Sequence, residues 1–347
     1  MRRKADVYWL KALLRPLRSE VLALPTRLIA LLFVAAILLF PAITQETYHL
    51  RVVVLAAIFA MYAVSWDVLS GYAGQISLGH ALFFAVGAYA SGSFDRLLSV
   101  PLYVAIPLGA LTAAVAGLIV AVPCLRLRKH HLALATLAFP LMLAGVVLMI
   151  PALRGEYGLD GLARLSSSRI VEYYIIIGVM LTVVFLLWKL MSSRVGLIFH
   201  AIREDETVVR SVGINSVRHK ILAFVISGFT AGLAGAFYAH FLTVAGIRNL
   251  DLLMSFQPII WTVFGGAATI HGPVTGVFVL FPIVESLRAI PAYRMLVFAL
   301  LLLGILRFMP GGVGPWVRDR LEHACSHCNA RNAFIRRTCR ICRTELR

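Results

Sequence analysis

The chain alternates between long apolar stretches and short polar ones. Apolar runs mark residues 24–43, 52–69, 76–94, 102–122, 132–150, 171–191, 221–245, 254–270, 273–290 and 293–308. A helix rises about 1.5 Å per residue, so about 20 such residues cross a hydrocarbon layer roughly 30 Å thick. The pattern therefore predicts an all-α, polytopic membrane protein with about ten transmembrane helices. The last three runs are crowded together, which leaves room for one of them to be re-entrant.

One polar interval has a different pattern. Within the loop 192–220, helical spacing places Ile198, Ala201, Ile202, Val209 and Val212 on one face, with Arg203, Thr207 and Arg210 opposite. Glu206 and Arg210 are four apart in the order that supports a helix, and Gly213 stands where a helix stop needs a left-handed residue. An amphipathic helix over 198–212 is expected, with an apolar face that seeks either a partner groove or the lipid headgroups.

Composition narrows the class. With 60% hydrophobic residues, 14% charged residues and a mean hydropathy of +0.87, the chain lacks the polar surface a soluble protein needs. The net charge of +17 is unevenly spread. Of 33 Lys and Arg, seven fall in 1–27, three in 124–131, five in 192–220 and nine from Arg307 onward. Even numbers of predicted spans separate these zones, so by the positive-inside tendency all four, and both termini, face the cytosol. The charge is dispersed over membrane-flanking loops instead of forming one stripe, so no nucleic-acid partner is expected. The first apolar run ends without a small-residue cleavage site and reads as an uncleaved span. The expected organisation is a basic N-terminal segment (1–27), a membrane domain (28–315) and a C-terminal tail (316–347).

Glycine and polar residues interrupt the apolar pattern twice, at 65–80 and at 264–276. Irregular backbone at membrane depth survives only inside protein or against a wet cavity. The breaks accordingly read as bordering a translocation path through Gly71, Gly74, Gln75, Ser77, Gly79 and His80 in the first, and Gly265, Gly266, Thr269 and Gly272 in the second. Tight interhelical turns are the alternative. Few ionisable groups lie within the spans, which argues against an ion-coupled carrier. Asp67 reads as a hydrated charge near a membrane end, Glu285 and Arg288 as an intrahelical pair, and His80, His240 and His271 as hydrogen-bonded packing residues. Ser227, Gly228, Ala231, Gly232 and Gly235 suit close helix packing, within the chain or between subunits.

Cys325, Cys328, Cys339 and Cys342 form two Cys-x-x-Cys pairs ten residues apart. This spacing suits four thiolates around one tetrahedral Zn²⁺, and a segment of this size without a core needs such a staple. Two disulfides, or a metal-free basic tail on anionic lipid, are the alternatives. Cys124 stands alone and reads as packing.

The segment Gly71–Tyr89, the stretch Leu132–Phe139, the sequence Ala201–Glu206 followed by Gly213-Ile214-Asn215, and the glycines from Gly265 to Gly276 together resemble the LivM type of branched-chain amino acid permease. The resemblance spans about residues 50–315. It implies a permease subunit of an ATP-binding-cassette importer in a bacterial-type plasma membrane, carrying branched-chain or other hydrophobic amino acids. Urea or short amides are the alternative cargo. Ala201, Ile202, Arg203, Glu204, Asp205, Glu206, Gly213, Ile214 and Asn215 would then contact separate ATPase subunits. Further implied partners are a second permease of LivH type and an extracytoplasmic binding protein. The chain has no Gly-x-x-x-x-Gly-Lys-Ser/Thr loop, so no bound nucleotide and no catalytic residue is expected in it. Two features depart from the family pattern: the outward loop around Glu156–Leu162, and the cysteine-bearing tail.

Overall fold

The computed structural model describes residues 25–125, 127, 129–287, 299–300, 303–304, 307, 311–325, 327–328, 331–334, 338–339, 341–342 and 344–345. Its contacts divide the chain into two compact units, Glu46–Gly312 and the combination of Met1–Gln45 with Val313–Arg347.

The larger unit is built around α2 (Thr47–Trp66), which continues as a π-helical turn, Asp67–Tyr72, and is buried along most of its length. After an irregular stretch come α3 (Ala81–Leu98), α4 (Leu102–Cys124), α5 (Lys129–Met149) and α6 (Arg169–Met191). Two short helices, α7 (Arg194–Glu204) and α8 (Glu206–Ser211), lead into α9 (Ser216–Leu242), then α10 (Leu252–Gly265) and α11 (His271–Ser286). Nine of the ten predicted spans coincide with helices. The tenth, 293–308, lies mostly outside the described residues, as does Arg288.

Among the described residues, five helices are long and apolar enough to cross a membrane: Thr47–Tyr72, Leu102–Cys124, His131–Met149, Arg169–Met191 and Ser216–Leu242. Four of the nine helical spans, 24–43, 76–94, 254–270 and 273–290, fall short of that. Helices α10 and α11, with 14 and 16 residues, reach only about 21–24 Å each, because the turn at 266–270 interrupts them. The third span also starts later than its hydrophobicity suggests, at Ala81 instead of 76, since Ala73–His80 is occupied by the first break.

Small residues set the centre of the packing. Helix α9 lies against α4, α3 and α2. The backbone at Gly232 comes so close to Gly87 that a Cβ on Gly87 would overlap it, and Gly235 has the same relation to Phe84. The small-residue stripe of α9 is thus used within the chain. Several polar groups in this core are paired: Ser227 Oγ donates to the Ser65 carbonyl at 2.8 Å, and Tyr62 Oη to that of Met254 at 2.9 Å. His240 Nδ1–H donates to the Ala163 carbonyl at 2.9 Å, which leaves Nε2 to accept from Ser91 Oγ at 2.7 Å. It is a packing histidine, as expected. Cys124 is buried.

The loop after α5 folds over the ends of α3 and α9. Its β1 (Leu159–Asp160) pairs antiparallel with β2 (Val244–Ala245), and Asp160 Oδ1 takes Arg96 and Arg154, each at 2.6 Å.

The smaller unit contains α1 (Pro25–Ile43), α12 (Val313–Leu321) and a hairpin of β3 (Glu322–Ala324) and β4 (Arg331–Ala333). Within it, Thr26 Oγ1 donates to the Glu322 carboxylate.

Candidate coupling site and metal centre

The expected amphipathic helix is two helices, broken at Asp205. That residue is extended (φ −149°, ψ 108°), and its Oδ1 accepts from the N–H groups of Thr207 at 2.7 Å and Val208 at 3.3 Å. An aspartate is a strong N-cap, so it starts a new helix in preference to continuing the old one. The break shifts the helical phase and corrects the predicted face. Phe199, Ile202 and Val209 are buried, whereas Ala201 and Val212 are exposed together with Leu197 and Val208. Asp205 therefore lies at a helix start and not on an apolar face.

The inner side of the pair is clamped by Glu206. Its Oε1 accepts from Arg210 at 2.5 Å and Ser216 at 2.9 Å, and its Oε2 pairs with Lys220. Burial pushes the Glu206 carboxyl up, but the hydrogen bonds from Lys220, Ser216 and Arg210 outweigh it and hold the group below its ordinary value. Gly213 ends the pair at φ +82°, the left-handed conformation expected of it. Asn215 then caps α9, accepting from the Arg218 N–H at 3.1 Å. Ile198, Gly213, Ile214, Asn215, Arg218 and Leu222 line an open groove of about 660 Å³. Glu204 is exposed on the outer side.

Arg203 points the other way. Its guanidinium donates to the Gly71 carbonyl at 2.6 Å, and the His200 ring packs on Tyr72 with centroids 4.8 Å apart. Gly74, at φ +67°, leaves room for the Arg203 stem. The helix pair therefore rests directly on the first glycine-rich break. That break is itself a folded loop: Ser70 Oγ donates to the Gln75 carbonyl at 3.0 Å, Trp66 Nε1 to that of Ser77 at 2.8 Å, and the Leu78 N–H to Thr136 Oγ1 at 3.0 Å. Gly71, Gln75, Ser77, Gly79 and His80 are buried in it, and Gly74 is half-buried. His80 Nε2 bonds Ser65 Oγ at 2.8 Å.

The two breaks meet. In the second, Gly266 (φ +115°) and Ala268 (φ +59°) turn the chain between α10 and α11. Gly265, Gly266 and Gly272 are buried and Thr269 is half-buried. Asp67 Oδ1 accepts the Ala268 N–H at 2.7 Å. A Cβ at position 71 would overlap that carboxylate, so only glycine fits there. Asp67 is fully buried, which corrects its reading as a hydrated loop charge. The signal that would have found it is its isolation: it is the sole carboxylate between Glu46 and Asp95 and lies four residues before Gly71.

The four tail cysteines form a second site. Their sulfurs all lie within 4.8 Å of one another, with Cys325–Cys342 and Cys328–Cys339 each at 3.5 Å. None is disulfide-bonded. Cys325 and Cys328 follow strand β3, while Cys339 and Cys342 sit in a second turn closed by the Thr338–Glu345 bridge. A tetrahedral four-thiolate site with metal–sulfur bonds of about 2.3 Å needs sulfurs about 3.8 Å apart, and this set fits it. The Thr344 hydroxyl holds the Cys325 thiol down to about 7, and the Ile341 backbone N–H holds Cys339 down to about 5. Both shifts favour the thiolate that binds metal. Asn332 Nδ2 also donates to Cys339 Sγ, at 3.5 Å.

The family model described as the branched-chain amino acid transport system permease component matches residues 48–306, which is nearly the whole larger unit. The chain is 25% identical to the high-affinity branched-chain amino acid transport system permease protein LivM of Escherichia coli, over 77% of this chain and 70% of that protein. It is 26% identical to the probable branched-chain amino acid transport permease protein LivM of Methanocaldococcus jannaschii, over 74% of this chain and 90% of that one. No solved structure matches it.

Proposed function

The chain belongs to the branched-chain amino acid transport permease family, and from that membership we propose that it is the membrane subunit of an ATP-driven importer of branched-chain or similar hydrophobic amino acids. The observation that carries this reading is the seating of helices 194–211 on the Gly71–Gly74 backbone, inside the family-matched segment. The exposed residues Leu197, Ala201, Glu204, Val208 and Val212 offer a surface to ATPase subunits, while Arg203 and His200 face inward. Closure of the ATPases would push this helix pair against the first break, and the two breaks together would open alternately outward and inward. Hydrolysis belongs to the partner subunits, and a second permease of LivH type and an extracytoplasmic binding protein complete the assembly. The basic loops support a reading with both termini in the cytosol, and the family supports a bacterial-type plasma membrane.

The four thiolates would hold one Zn²⁺ through Cys325, Cys328, Cys339 and Cys342. The ion supplies a closed structural cross-link with no open position for catalysis.

The deciding experiment is uptake of radiolabelled leucine by the reconstituted complex. Dependence on ATP and indifference to ion gradients is expected. Uptake that follows a proton or sodium gradient without ATP would mark a secondary carrier, and transport of urea in place of leucine would reassign the cargo.

A further inference from the structure

The π-helical turn Asp67–Tyr72 lies between the cytosolic helix pair and the second break, and it touches both. On its cytosolic side, Arg203 donates to the Gly71 carbonyl and His200 packs on Tyr72. On its other side, Asp67 Oδ1 accepts the Ala268 N–H, with the Thr269 N–H also facing the carboxylate, and the Ile270 N–H faces the Tyr72 hydroxyl. One side chain of this turn thus holds the second break by a hydrogen bond, at Ala268, and a second lies beside it.

Three features set this turn apart from ordinary packing. A π-turn inside a long helix is an irregular, energetically costly element that recurs at functional sites. Asp67 is completely buried, yet Oδ2 has no hydrogen-bond partner, so the carboxylate is kept there at a solvation cost that packing alone does not repay. The segment it grips is also strained, since Ala268 is a non-glycine residue in the left-handed region. A strained loop needs an external group to hold it, and release of that group lets it relax.

We propose that Asp67 and Tyr72 are positioning residues that transmit movement of the helix pair 194–211 to the second break, Asp67 by holding the Ala268 amide in the bent conformation seen here and Tyr72 by standing between His200 and residue 270. A shift of Arg203 displaces the Gly71 carbonyl, rotates the π-turn and changes the grip on Ala268. This rests on the importer reading, and it assigns the link between ATPase and path to two named side chains.

The test uses the full complex in proteoliposomes and reads leucine taken up per ATP hydrolysed, together with retention of the ATPase subunits. Asp67→Ala removes the acceptor, and the ratio is expected to fall about tenfold or more, as leaving the part-buried Ala268 N–H without its partner implies, while hydrolysis continues. Asp67→Asn keeps an oxygen for the Ala268 N–H and is expected to restore the ratio to within a few-fold of the parent. Tyr72→Phe, which retains the ring against His200, should lower the ratio without detaching the ATPases. A double variant of Arg203→Gln with Tyr72→Phe should be no worse than the poorer single variant, because the two act in series. An unchanged ratio in Asp67→Ala, or an Asn variant as poor as the Ala variant, overturns the proposal. If Asp67→Ala fails to insert, multiplied losses in the Arg203/Tyr72 double variant overturn it instead. ATP-independent uptake by the parent protein would sink the importer reading, and this link with it.

Discussion

Single residues decide where the segment 194–213 bends and stops. Gly213 is in the left-handed region, and a Cβ there would meet nothing within 4 Å, so substitution acts through the backbone alone. Gly213→Val puts a β-branched residue in a conformation that costs about 1–2 kcal/mol or more, whereas Gly213→Asn places a tolerated one. Uptake is expected to fall about tenfold with valine and to stay within a few-fold with asparagine, at matched membrane abundance. Equal uptake by both would remove the helix stop from the coupling account. Asp205 works at the same scale. Its capping bonds to Thr207 and Val208 restart the helix, which is why an aspartate in the middle of an apparently continuous amphipathic pattern became a break.

At the level of elements, α8 is only six residues long and cannot be stable alone. What fixes it is the Glu206 clamp to Arg210, Ser216 and Lys220. Because the folded Glu206 carboxyl is held below its ordinary value, its contribution is complete above the unfolded pKa of about 4.3 and is lost as pH falls through the lower folded value. At neutral pH the clamp is therefore fully formed. Glu206→Gln leaves Lys220, with its side chain 8% exposed, facing a neutral amide. The expected loss is about 1–3 kcal/mol of local stability, visible as faster hydrogen exchange of the amides of residues 206–211. Unchanged exchange there would show that apolar packing of Val209 suffices.

For the whole molecule, the family-matched segment and the cysteines fall in different units. The family match covers 48–306, within the larger unit, while the cysteines belong to the smaller one. Purified protein is expected to contain one Zn²⁺ per chain, and Cys325→Ser with Cys328→Ser should abolish it and leave the tail from about residue 320 open to protease. Leucine uptake should survive. Loss of uptake in that variant, with normal abundance, would tie the metal centre to transport.

The sequence by itself determined the elements whose physics is local or periodic. Apolar runs became helices at the nine sites that fall within the described residues, the two Cys-x-x-Cys pairs came together in one cluster as their spacing suggested, and Gly213 was legible because a helix stop needs positive φ. Tertiary structure decided the rest. Nothing in the spacing told which face of residues 198–212 points inward, because a single N-cap at Asp205 resets the helical phase. Nor did the pattern show that the breaks at 65–80 and 264–276 touch, since they are separated by almost two hundred residues and joined by one hydrogen bond of 2.7 Å from Ala268 to Asp67. In sequence, Asp67 is one acid near a predicted helix end. Burial, which depends on helices packed from distant parts of the chain and not on its neighbours in sequence, makes it the contact between the two breaks.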